Sequence, residues 1–172
     1  MDRAKTVGKK WIIVSIVALL CAAAALVCVI LVVSHLRENY AGYTPDQVAE
    51  RILTQQKTDD LVRVDPGQIP KHYEIPDGVV SDSVLYMSKS PESASELACF
   101  LLTKASEYER LQPVITAHLN SKASGFKSLN PQQYGALQNA VVARSGRYVL
   151  VAVGDGSKAE KKTFLSLFGE KT

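Results

Sequence analysis

Residues 140–153 read AVVARSGRYVLVAV, and this stretch decides the fold. Two short apolar runs, rich in valine, flank the turn pair Ser145-Gly146. Such a pattern is typical of a β-hairpin. Downstream, Gly154-Asp155-Gly156 closes the second strand, and Ser157 is placed to cap a last helix. The inner stripe of that helix is predicted to comprise Phe164, Leu165, Leu167 and Phe168.

A second hairpin is predicted upstream of the first. Residues 79–87 alternate in the manner of a strand, with Val84 and Tyr86 on one face and Leu85 and Met87 on the other. Residues 97–103 form a nearly continuous apolar run, which suits a central strand or a short buried helix. We take the strand, because it pairs naturally with the preceding one.

Helices are predicted before, between and after the hairpins. Thr44-Pro45-Asp46-Gln47 has the residues of a capping box, and Asn130-Pro131 starts another helix. Residues 106–126 carry apolar side chains at helical spacing, with Pro113 either starting the main helix or kinking it. This order predicts an α+β domain: an antiparallel sheet of about four strands in two hairpins, with helices on one face.

The N-terminal region predicts a membrane anchor. Trp11 to Val33 is a run of 23 residues in which only Ser15 is polar. A helix of that length, at about 1.5 Å per residue, crosses a hydrocarbon core of about 30 Å. Membrane lipid is therefore the expected partner of this segment.

The charge pattern predicts the orientation of that anchor. The formal net charge of +3 resides in the first ten residues, because residues 11–36 carry no Asp, Glu, Lys or Arg and the remainder is balanced. We expect a cytoplasmic tail (1–10), a transmembrane anchor (11–36), a connector (37–43) and an extracytoplasmic domain (44–172). A balanced domain is not expected to bind nucleic acid.

Catalytic, cofactor and metal motifs are not evident. The three histidines, His35, His72 and His118, stand in no ligand spacing, and there is no G-x-S-x-G motif. Cys99 lies within an apolar run, which is typical of an inert packed thiol. The predicted catalytic, cofactor-binding and metal-binding sets are therefore empty.

Four residues are candidates for an interaction surface: Glu96, His118, Tyr134 and Tyr148. His118 stands out because its helical register lies beside the apolar stripe and because an imidazole titrates near neutrality. Packing or local hydrogen bonding is the alternative for each.

The outer domain resembles a bacterial family catalogued as domain of unknown function 4358. The matching stretches are Tyr73-Glu74-Ile75, Glu96-Leu97-Ala98-Cys99-Phe100, Phe126 with Asn130-Pro131, Asn139-Ala140-Val141-Val142, and Gly146-Arg147-Tyr148-Val149. The resemblance implies lipoproteins or single-pass proteins of Gram-positive bacteria. His118, Lys122 and Leu129 stand where it leads us to expect Arg, Gln and an aromatic residue.

These observations predict a plasma-membrane protein whose outer domain is a non-enzymatic binding or scaffolding module of the cell envelope. The expected partner is another envelope protein or a cell-wall component. An envelope hydrolase with a scattered site is the alternative, and it would be supported by a deep pocket that contains a histidine and a carboxylate within hydrogen-bond reach. A sensory or assembly protein is a further possibility.

Overall fold

The computed structural model describes residues 19–32, 42–57 and 60–170. The chain divides into two units, Met1–Tyr40 and Ala41–Thr172. In the first, residues 19–32 form a helix (α1) with exposed side chains. Among the described residues, no helix combines the length and the apolar character needed to cross a bilayer. Both ends of the predicted anchor, the tail 1–10 and most of the connector lie outside the described residues.

The second unit contains five helices and five strands among its described residues, with 3₁₀ turns at Pro66–Gln68 and Ala105–Glu107. In chain order its elements are α2 (Pro45–Gln56), β1 (Leu61–Arg63), α3 (Ile69–His72), β2 (Val80–Ser88), β3 (Glu96–Leu102), α4 (Tyr108–Phe126), α5 (Pro131–Gln138), β4 (Val141–Ser145), β5 (Tyr148–Val153) and α6 (Ser157–Leu167).

The strands form one antiparallel sheet in the order β1-β2-β3-β5-β4. Both predicted hairpins, β2–β3 and β4–β5, are confirmed, and β3 and β5 form the centre of the sheet. The expectation of four strands is wrong, because Leu61–Arg63 adds an edge strand beside β2. Three residues, with Val62 half exposed, are too few to show an alternating pattern.

Helices cover both faces of the sheet, so the expectation of one covered face is wrong. Helices α2 and α6 lie on one face, over a cluster that includes Leu97, Cys99 and Phe164. Helices α3 and α4 lie on the other, over Ala98 and Phe100. The physical reason is the apolar run of β3, whose alternate side chains point to opposite faces and both need cover.

The helix starts follow the sequence signals, with one exception. Thr44 and Gln47 form the predicted capping box, and the Asn130 side chain accepts from the Gln133 N–H. The predicted cap at Ser157 is wrong, because Gly156 is the N-cap and Ser157 is already helical. Pro113 lies inside α4.

Candidate functional site

The candidate site is built around Glu96, the first residue of the central strand β3. Strand alternation turns its side chain toward α3 and α4, on the same face as Ala98 and Phe100. Glu96 is 1% exposed, which is unusual for a carboxylate, and a charge so buried requires polar partners.

Three donors surround the Glu96 carboxylate. Tyr73 is the residue that follows α3, and its hydroxyl donates to Oε1 of Glu96. Nε2 of His118 lies 3.0 Å from both carboxylate oxygens, and Nζ of Lys122 donates to Oε2 at 2.6 Å. His118 and Lys122 are four residues apart on α4, a spacing that puts both on one face of a helix. We call these four residues the Glu96 cluster.

His118 is held by both of its ring nitrogens. Nδ1 lies 2.9 Å from the His72 carbonyl oxygen, which can only accept a hydrogen bond, so Nδ1 carries a hydrogen. Nε2 faces the carboxylate, which is also an acceptor. The ring stacks on Tyr73, with centroids 4.0 Å apart. The geometry therefore favours an imidazolium with no free lone pair.

Burial and the neighbouring groups shift the pKa values of Glu96 and Tyr73 in opposite directions. Burial by itself raises the pKa of Glu96, but the hydrogen bond from His118 and the charge of Lys122 outweigh it and lower the pKa to about 2. Burial, and then the charge of Glu96, raises the pKa of Tyr73 well above its usual value. At neutral pH the carboxylate is ionised and the phenol keeps its proton.

An open groove of about 630 Å³ lies beside the cluster, along α4. Its polar lining includes His118 and Lys122 together with the exposed Lys71 and Glu74 from the α3 region. The apolar lining residues are Met87, Pro113, Val114 and Ala117. The groove thus combines an apolar surface with charged groups, as ligand sites commonly do.

The structure brings two of the four predicted site residues together, Glu96 and His118. Tyr134 packs in a separate cluster with Ala123 and Leu137. Tyr148 is 5% exposed, belongs to the core cluster on the opposite face, and donates to the Tyr43 carbonyl at 2.6 Å. Their role in an interaction surface stays a prediction.

Sequence reasoning missed Tyr73, His72 and Lys122 as site residues. One available signal was the position of Glu96, two residues before Ala98 in the alternation that points to the core. A carboxylate at a core position needs hydrogen-bond donors. His118 and Lys122, four residues apart on a predicted helix, are two donors that lie on one face of that helix. Tyr73 gave no comparable signal.

Other chemistry has less support in the described residues. They contain no group of three or more His, Cys, Asp or Glu side chains placed to hold a metal ion. Burial raises the pKa of the Cys99 thiol, which disfavours the nucleophilic thiolate.

The model of one protein family, described as "Domain of unknown function (DUF4358)", matches residues 54–154, more than half of the chain. The matched range contains every strand of the sheet and all residues of the Glu96 cluster. No curated protein and no solved structure matches the chain.

Proposed function

The chain belongs to the DUF4358 family, and on that premise we propose that its folded domain is a non-enzymatic binding module of the bacterial cell envelope. The groove along α4 is its ligand site, and residues 11–33 hold it at the membrane with residues 37–172 outside. The observation that carries the proposal is the groove beside a buried charge cluster whose groups are already paired with one another.

The pairing supports binding rather than catalysis. A general base needs a lone pair directed at substrate, and both nitrogens of His118 face protein acceptors instead. Glu96 is too deeply buried to touch a ligand. The cluster therefore fixes the position of α4, which forms one wall of the groove, and a pre-formed wall suits a binding site.

The membrane attachment is supported by sequence. The uncharged run from Trp11 to Val33 has the length of a spanning helix, and Trp11 suits an interface. The basic residues on its N-terminal side favour a cytoplasmic N-terminus.

The hydrolase alternative has one observation in its favour, the contact between His118 and Glu96 beside a groove. In a hydrolase the histidine would have to release one of its two partners when substrate binds. A His118→Gln variant separates the two functions, because it would abolish hydrolysis, whereas a binding module would bind its ligand more weakly without losing binding altogether.

The proposed function is tested by site-specific photo-cross-linking of the full chain in intact cells. A benzoylphenylalanine at Ser121, in the groove, is compared with one at Lys161, exposed on α6 across the sheet. We expect a discrete adduct from Ser121 and none from Lys161. Equal labelling at both positions, or none at either, would contradict a groove-centred binding site.

The topology is tested separately with Lys161→Cys and a membrane-impermeant maleimide. Of the native cysteines, Cys99 is buried, and Cys21 and Cys28 lie in the apolar run. We expect labelling of the variant on intact cells and none of the parent chain. Labelling of the variant only after lysis would place the domain in the cytoplasm.

A further inference from the structure

We propose that the groove along α4 binds a small amphipathic anion, in which a carboxylate or phosphate group is joined to a short aliphatic group. The oxyanion would accept from Nζ of Lys122. This inference rests on the proposed function, since it uses the same groove, and it adds the chemical class of the ligand.

The first argument is the unused hydrogen-bonding capacity of Lys122. An ammonium group has three N–H donors. Among the described residues, Nζ of Lys122 donates to one acceptor, Oε2 of Glu96. The side chain is 13% exposed and lines the groove. Its remaining donors are therefore available to a ligand oxygen, and a charge-assisted bond to an oxyanion is the strongest they can form.

The second argument is the balance of charge. Lys122 shares the single carboxylate of Glu96 with His118, whose two ring nitrogens both face acceptors, an arrangement that favours the imidazolium. In that form of His118 the cluster carries one excess positive charge. Lys71 adds another charge to the lining, and Glu74 is the opposing one. In the described part of the chain no ion pair joins Lys71 to Glu74. The groove is thus net positive, which favours an anion.

His72 responds to the same field. Its pKa is lowered, first by burial and then by the charge of His118, with smaller contributions from Lys122 and Lys71, while Glu96 opposes them. A neutral imidazole in a positive groove does not compete with Lys122 for the anion.

The third argument is the apolar part of the lining. Met87, Val114 and Ala117 offer aliphatic surface next to the charged groups. A purely ionic ligand would leave this surface wet, whereas a short alkyl group would cover it. Oxyanion and alkyl group together match what the groove presents.

Methionine provides a direct probe. The chain has two methionines, Met1 and Met87, and Met87 lines the groove. Full-length protein labelled with methyl-¹³C methionine, in phosphatidylcholine nanodiscs, therefore gives a groove signal and a reference signal. A Met87→Leu variant assigns them. The probes are butyl phosphate, butanoate, inorganic phosphate and butanol.

We expect butyl phosphate or butanoate to shift the Met87 signal saturably, with a dissociation constant on the order of 1 mM, and to leave Met1 unchanged. Phosphate alone and butanol should bind at least about tenfold more weakly, because each supplies one half of the interaction. The stronger of the two anions identifies the oxyanion. Equal shifts with butanol and with the anions would overturn the proposal.

Variants isolate the charge. Lys122→Gln keeps a donor for Glu96 but removes the positive charge, so we expect about tenfold weaker binding or more, with recovery in Lys122→Arg. Lys161→Gln, on the opposite face, removes the same charge and should have no effect. Glu74→Gln should tighten binding and leaves the buried cluster untouched, so it remains informative if Lys122→Gln is unstable.

The outcomes separate this inference from the proposed function. If no probe shifts Met87 in the assigned spectrum, or if Lys122→Gln and Lys161→Gln bind equally, the ligand class is wrong. A cross-link at Ser121 under the same conditions would still support a groove-centred binding module. Loss of that cross-link would reject both.

Discussion

Nζ of Lys122, on helix α4, lies 2.6 Å from Oε2 of Glu96, the first residue of the central strand. This contact, with that of His118, ties a surface helix to the middle of the sheet. Burying a charge costs free energy, and the hydrogen bonds from Tyr73, His118 and Lys122 to the carboxylate offset that cost here. The cluster therefore contributes both to stability and to the proposed binding site, and substitutions can separate the two contributions.

Glu96→Ala should lower the free energy of unfolding by about 3–5 kcal/mol, because it removes the buried carboxylate that accepts from Tyr73, His118 and Lys122. Urea unfolding monitored by circular dichroism measures the change. Glu92→Gln, an exposed carboxylate in the preceding turn, should change stability by less than about 0.5 kcal/mol. Similar losses in both variants would contradict the role assigned to Glu96.

Acid should destabilise the domain through Glu96. Its pKa is about 2 in the folded protein against 4.5 when unperturbed, so it contributes stability that is complete above about pH 4.5 and is lost as the pH falls toward 2. The contribution is about 3 kcal/mol. Unfolding free energies at about pH 5 and pH 3 should differ less in Glu96→Gln than in the parent. Parallel profiles would show that another carboxyl group is responsible.

Tyr73→Phe should cost about 1–3 kcal/mol, because it removes one donor to the carboxylate while keeping the ring that stacks on His118. The raised pKa of Tyr73 gives a second measurement. In an ultraviolet titration of the folded protein, the parent and Tyr73→Phe should show the same phenolate absorbance. A parent chain that shows one tyrosine more would contradict the buried hydrogen bond.

Ionisation of Glu160 should destabilise the folded protein at high pH, whereas protonation of Glu96 should destabilise it at low pH. Burial raises its pKa to about 7 from 4.5, so the folded state is favoured below about pH 4.5 and that contribution is lost as the pH rises through 7. Glu160→Gln should therefore stabilise the protein at about pH 8 and have little effect near pH 4. Thermal unfolding at the two pH values tests it, and stabilisation at both would point to packing instead.

The turn between β5 and α6 offers a matched pair of glycines. Gly154 has φ +134° and a Cβ there would lie 3.2 Å from Ser95 Oγ, whereas a Cβ on Gly156 would meet Glu160 at an ordinary 3.6 Å. Gly154→Ala should cost about 1–3 kcal/mol, and Gly156→Ala much less. Equal effects in a denaturation series would contradict the backbone argument.

Local signals predicted much of the fold. The capping residues Thr44 and Gln47 and the turn at Gly146 act over a few residues, and the structure has these features where the sequence indicates them. The cover on the second face of the sheet depends on how the helices pack. The apolar run of β3 nevertheless indicates it, because its side chains point to both faces. Strand β1 depends on pairing with β2 rather than on its own three residues.

Two residues of the Glu96 cluster could be predicted from the sequence, but their contacts could not. Glu96 and His118 are two of the four predicted candidates, and His118 stands out because its helical register lies beside the apolar stripe. Their partnership joins residues 22 apart, and Tyr73 and Lys122 lie 23 and 26 residues from Glu96. Such contacts depend on how α3 and α4 cross the sheet, which a periodic pattern does not specify.

The strand order has a consequence for how the chain reaches this state. The hairpins β2–β3 and β4–β5 are local, but the sheet is completed by pairing β3 with β5, across the whole α4–α5–β4 segment. Closing a loop of that length costs conformational entropy before the stabilising contacts between the strands have formed. We therefore expect this pairing to be the slow step of folding. During synthesis, the centre of the domain must wait until β5 has left the ribosome.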